Sequence, residues 1–131
     1  MIIVDSSVLI SWINNEDTNE TKILSNLLRT KQTIGINSII KMEVLQGIRN
    51  GKEYEQIQRI LSNFICYHIN HDTIVKASLL FIECQDNGFT PKSPDHIIAQ
   101  SCIENDVAIF SKDKHFDTIA EVTGKLKVYK G

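Results

Sequence analysis

Short apolar runs alternate with segments of helical period along this 131-residue chain, and that alternation restricts the fold more than any other feature. Residues 2–5 (IIVD), 33–36 (TIGI), 65–69 (ICYHI) and 107–110 (VAIF) read as strands, with 126–129 (LKVY) as a last edge strand. Helical spacing covers 6–13, 17–31, 38–49, 52–63, 72–86 and 95–105. In the second of these Ile23, Leu24, Leu27 and Leu28 share one face, and in the fourth Tyr54, Ile57, Ile60 and Leu61 do. The RNG at 49–51 reads as a helix stop, and DNGFTPKSP at 86–94 is the one stretch rich in turn formers. Strands separated by helices pair in parallel through right-handed crossovers, which predicts a three-layer α/β/α sandwich with a central parallel sheet. A hydrophobic share of 42% without repeat or linker suits one domain over residues 1–131. In such folds ligands are handled beyond the carboxyl ends of the strands, where strand order reverses.

Several classes are disfavoured at once. Met1 leads straight into Ile2, Ile3 and Val4 with no basic flank, so no signal peptide is expected, and the longest apolar run is far too short for a membrane span. Cys66, Cys84 and Cys102 are odd in number and far apart, matching neither a disulfide framework nor a zinc site; a reducing cytoplasm is the expected location. The formal net charge of −2 does not advertise nucleic-acid binding, yet with four acids set aside in one pocket the remainder carries +2.

The acids fall in a telling pattern. Asp5 ends the first strand, Asp113 follows the VAIF strand by three residues, and Asp95 begins the helix that feeds that strand. Topology brings all three to one sheet edge if the two strands are neighbours. Glu43 sits inside the helix that follows the second strand and can point to the same edge. Each aspartate also stands at a helix start, where capping alone is worth about 0.5–2 kcal/mol. Capping does not account for the set, because like charges within a few ångströms repel unless a cation lies between them. Carboxylates with no Cys or His pairing suit the hard ions Mg²⁺ or Mn²⁺ and argue against zinc. Such an ion lowers the pKa of water and shields a phosphoryl group, which makes phosphodiester hydrolysis the natural reaction class.

Other polar residues have weaker claims. Ser6 and Ser111 each flank an acid and can orient it by donating a hydrogen bond to its carboxylate from behind. His115, two residues past Asp113, is either a packing histidine or a group that contacts phosphate or moves a proton. His96 should face elsewhere, His68 and His71 are assigned structural roles, and Trp12 is placed in the core or a subunit contact. Lys41, Arg49, Lys92, Lys112 and Lys114 read as solvated surface that can also hold RNA phosphates without regard to sequence.

In order and spacing, IIVDSSVLI, NSIIKMEVLQG and SPDHIIAQSCIENDVAIFSKDKHF resemble the PIN-domain ribonucleases, especially the VapC-type toxins of toxin–antitoxin pairs, over nearly the whole chain. The family's strand-ending Asp and following hydroxyl fall on Asp5 and Ser6, and its helix-borne Glu on Glu43, ahead of Val44, Leu45 and Gly47. Its third acid falls on Asp95, ahead of Ile98 and Ala99, and its last motif on Ser111, Asp113 and Phe116. The resemblance implies an Mg²⁺- or Mn²⁺-dependent endoribonuclease, a homodimer, and a cognate antitoxin that blocks the acidic pocket. On that basis Asp5, Glu43, Asp95 and Asp113 are the catalytic and metal-binding set. Two departures stand out: His115 takes the place of a further Asp found in many relatives, with Asp117 as a substitute, and Pro94 fixes the approach to Asp95.

Three other readings compete. An aspartyl-phosphate phosphatase also opens on a strand ending in Asp, but needs a second Asp where Ser7 stands. A receiver-type domain needs an acceptor Asp just after a middle strand, and Asp72 lies well past it. A PIN-like module that binds RNA or protein without cutting has no reason to gather unpaired carboxylates opposite a phosphate backbone. An RNA-processing nuclease without an antitoxin stays open.

Overall fold

The computed structural model describes residues 1–131. Four short strands, β1 (Ile2–Val4), β2 (Ile34–Asn37), β3 (Ile65–Tyr67) and β4 (Ala108–Phe110), form one parallel sheet in the order β3-β2-β1-β4. Seven helices connect and cover them: α1 (Ser6–Ile13), α2 (Asn19–Arg29), α3 (Ser38–Gln46), α4 (Gly51–Leu61), α5 (His71–Asp86), α6 (Asp95–Glu104) and α7 (His115–Thr123). The chain steps from β1 to β2 to β3 in one direction and then returns to place β4 on the other side of β1. With right-handed crossovers, α1–α4 and α5–α6 therefore cover opposite faces, which is the expected α/β/α sandwich. Strand order reverses between β1 and β4.

The strands are almost wholly apolar because both faces are covered. Ile3, Val4, Ile36 and Ile109 have no exposed surface, and they pack with Val8, Leu9, Leu24, Ile40, Ile98, Phe116 and Ile119 in one cluster. Cys84 and Cys102 belong to that cluster, as small hydrophobes. No helix is long and apolar enough to cross a membrane.

Local chemistry sets the helix limits. Thr18 and Thr21 form a reciprocal capping box at α2, and Asn37, Asn50 and Asn70 cap α3, α4 and α5 through their side-chain oxygens. Asn50 corrects the reading of RNG as a stop: its Oδ1 accepts from Lys52 and Glu53 N–H, so Gly51 opens α4, while α3 has already ended at Gln46. Helix α7 is absent from the sequence-derived elements, although Phe116, Ile119 and Ala120 repeat at helical spacing and Gly124 closes it with φ 67°. The 126–129 segment makes a single parallel bridge, Ile109 with Val128, because only Lys127 O and Tyr129 N engage β4.

Candidate metal centre

Register delivers the first two components. Val4 pairs with Phe110, so Asp5 emerges beside Ser111, and the Asp5 N–H donates to Phe110 O at 2.9 Å. Asp5 is only 5% exposed. It occupies the capping position of α1 but makes no side-chain capping bond. Instead its Oδ2 accepts from Ser7 Oγ and Ser111 Oγ, both at 2.8 Å. These hydroxyls are oriented from behind, since Ser7 Oγ accepts from Lys112 N and Ser111 Oγ from Asp113 N. The other Asp5 oxygen is left without a protein partner.

Glu43 reaches the same edge from α3, half-buried, where its Oε1 accepts from Ser6 Oγ at 3.1 Å. The expected pairing of serines with acids is thus rearranged. Ser6 serves Glu43 and Ser111 serves Asp5, while Ser7, which in sequence stands only where a phosphatase would need an aspartate, joins the site. Successive residues of a helix diverge by about 100°, so Ser6 and Ser7 cannot serve the same carboxylate. The spacing of Ser7, two after the strand-ending acid, was the signal for it.

Asp95 is the first residue of α6, and its carboxylate does not cap that helix. Its carboxyl is pushed up to about 6, first by burial and then by repulsion from Asp113 and Asp5, with His115 opposing. Glu43 is also raised, first by burial, with Ser6 pulling it down and Asp5 and Asp95 adding repulsion. The four acids therefore share one electrostatic environment. Capping survives only at Asp113, whose Oδ1 accepts from His115 N at 2.9 Å.

The His115 ring enters the cluster. Its Nδ1 lies 3.4 Å from Asp113 Oδ1 and 3.6 Å from Asp95 Oδ2. Ligand atoms of Asp95, Asp113 and His115 fall within 4.8 Å of one another. Both Asp95 Oδ2 and His115 Nδ1 are buried atoms with no hydrogen-bond partner. Buried polar atoms are rarely left so, and two facing each other among converging carboxylates fit a divalent cation.

The remaining candidates lie outside the cluster. Asp117 is held by Lys130 at 2.6 Å and lines a side cavity with Lys112 and Lys114, so it does not stand in for a ligand. Lys112 Nζ donates to Ser11 Oγ at 2.7 Å. His96 packs edge-on against Phe81, and His68 and His71 are exposed rather than structural. Trp12 lines a 700 Å³ cleft between α1, α2 and α4 that contains none of the four acids.

Comparison with known proteins agrees with this geometry. The PIN domain family matches residues 2–122. No curated protein matches the chain in sequence. Among solved structures, the fold is similar to that of DNA-bound VapBC from Salmonella typhimurium, with TM-score 0.79 and 16% identity over 98% of this chain and 96% of that one. It is similar to a toxin–antitoxin complex from Klebsiella pneumoniae, with TM-score 0.75 and 21% identity over 100% of both chains. It is also similar to the Mycobacterium tuberculosis toxin VapC20, described as cleaving the sarcin–ricin loop, with TM-score 0.71 and 16% identity over 99% and 100%. With a parallel sheet whose order reverses beside a cluster of acids and a family match across nearly its whole length, this chain belongs to the PIN domain family.

Proposed function

We propose that this chain is a metal-dependent endoribonuclease, hydrolysing RNA phosphodiester bonds at the edge where Asp5, Glu43, Asp95 and Asp113 meet. The observation that carries the reading is the convergence of Asp95, Asp113 and His115 ligand atoms within 4.8 Å of one another, with Asp95 Oδ2 and His115 Nδ1 left without partners. Burial first, and then repulsion from Asp113 and Asp5, raises Asp95; burial also leads at Glu43, with Asp5 and Asp95 adding repulsion that a bound dication would relieve. When bound, Mg²⁺ or Mn²⁺ lowers the pKa of water and offsets the charge that builds on a phosphoryl group.

The protein's own residues hold the arrangement. Ser7 and Ser111 lock one oxygen of Asp5 and leave its other oxygen free of protein hydrogen bonds. Ser6 keeps Glu43 turned towards the acids, and half-buried Glu43 and Asp95 exclude part of the solvent that would screen them. The amino end of α6 lies behind Asp95 and favours its ionised form.

The likeness to toxin–antitoxin complexes supports a VapC-type toxin acting in the cytoplasm, restrained by a cognate antitoxin and assembled as a homodimer. Purified chain is mixed with structured RNAs and Mg²⁺ or Mn²⁺. Cleavage that stops in chelator and in Asp5→Asn is the expected result; cleavage that persists in either removes the metal mechanism. Sedimentation of the chain alone, and with the product of a small neighbouring reading frame, tests the partners.

A further inference from the structure

We infer that His115 supplies a nitrogen ligand to the cation held by Asp95 and Asp113, so that this protein binds Mn²⁺ in preference to Mg²⁺. The inference rests on the metal-dependent reading above and concerns which ion that site selects. Distances carry it. An imidazolium that paired with a carboxylate would close to about 2.7–2.9 Å. Here Nδ1 stays 3.4 Å from one carboxylate oxygen and 3.6 Å from another, longer than a closed ion pair, and it makes no well-formed hydrogen bond to any group. Two ligands side by side on a six-coordinate ion with bonds of about 2.1 Å stand roughly 3 Å apart. The two Nδ1–oxygen separations are within a few tenths of an ångström of that spacing, and the third side is no longer than 4.8 Å.

The ring is held for that task. The His115 backbone N–H donates to Asp113 Oδ1 at 2.9 Å, which ties Asp113 to the residue that opens α7. On the other side Phe89, from the segment between α5 and α6, lies against the imidazole with ring centres 5.9 Å apart. The backbone bond fixes where His115 leaves the chain, Phe89 packs beside its ring, and Nδ1 lies nearest the carboxylates of Asp113 and Asp95.

Ligand chemistry then decides between ions. Mg²⁺ takes oxygen almost exclusively and parts with its waters reluctantly, whereas imidazole nitrogen suits the first-row transition dications. The other candidate ligands are carboxylates with no thiolate among them, which keeps the site hard enough for Mn²⁺.

Mn²⁺ itself is the probe. Electron spin echo modulation of Mn²⁺-loaded protein should show coupling to ¹⁴N that vanishes in His115→Asp and persists in His96→Gln. Calorimetry should show the ratio of Mn²⁺ to Mg²⁺ affinity falling about tenfold in His115→Asp. Mn²⁺ that binds, is lost in Asp95→Asn, and shows no ¹⁴N coupling in the unaltered protein overturns this inference and leaves the metal-dependent reading standing. Absence of Mn²⁺ and Mg²⁺ binding overturns both.

Discussion

Asp5 Oδ2 accepts a 2.8 Å hydrogen bond from Ser111 Oγ across a separation of 106 residues. The contact follows from the parallel register of β1 and β4, which aligns Val4 with Phe110 and so sets the next residue of each strand side by side. A carboxylate that would otherwise swing freely is fixed by a hydroxyl, and that hydroxyl is itself fixed by the Asp113 N–H.

Removing this support should cost activity more than stability. Ser111→Ala and Ser7→Ala are each expected to lower RNA cleavage by about 10–100-fold, the range seen when groups behind a metal ligand are deleted. Thermal melts should shift little, because the lost bonds are partly solvent-accessible. Full cleavage by the double variant would show that Asp5 needs no such support.

Asp95 should make the metal-free protein sensitive to pH in a defined sense. Its carboxyl sits at about 6 in the fold against an ordinary 3.8, so between those values the folded chain binds a proton that the unfolded chain has released. That contribution is complete below 3.8 and is lost as pH rises through about 6. Asp95→Asn, which carries no charge, is therefore expected to melt above the unaltered protein in chelator at pH beyond 6, with the gap closing in acid. Saturating Mn²⁺ should reverse the order.

The Ser6 hydroxyl favours the ionised form of Glu43, so Ser6→Ala should drive the Glu43 carboxyl further upward. Carboxyl ¹³C titration of the metal-free protein measures this directly. A downward shift would mean that the hydroxyl does not donate to Glu43.

Gly35 lies between Ile3 and Ile65 in the sheet, and a Cβ there would stand 2.9 Å from the Tyr67 ring and 3.3 Å from Ile65 O. Gly35→Ala is expected to cost about 1–3 kcal/mol in urea unfolding as β2 and β3 are pushed apart. An unchanged midpoint would show that Tyr67 moves aside freely.

The sandwich was legible because strand-length apolar runs and crossover-length helices leave few topologies, whereas the neighbouring of β1 and β4 stood only as a condition that the strand register meets. Asp5, Glu43 and Asp95 stood out because each interrupts or begins an apolar element. What escaped depends on facing and on local caps. Ser6 and Ser7 are equivalent in composition, and only the helical turn of α1 sends one to Glu43 and the other to Asp5. Asn50 overrode the apparent stop before Gly51 by accepting two N–H groups. Helix α7 is short and follows a cluster of lysines, so its Phe116–Ile119–Ala120 face was overlooked, and with it the turn that brings His115 against Asp95.

The adjacency of β1 and β4 also governs when the acids can meet. Asp95 and Asp113 emerge from the ribosome ninety and one hundred and eight residues after Asp5, respectively. A nascent chain arrested before β4 has emerged lacks both the strand that pairs beside Asp5 and the acid Asp113 that follows it. Strand order thus postpones assembly of this acid cluster until Asp113 has been translated.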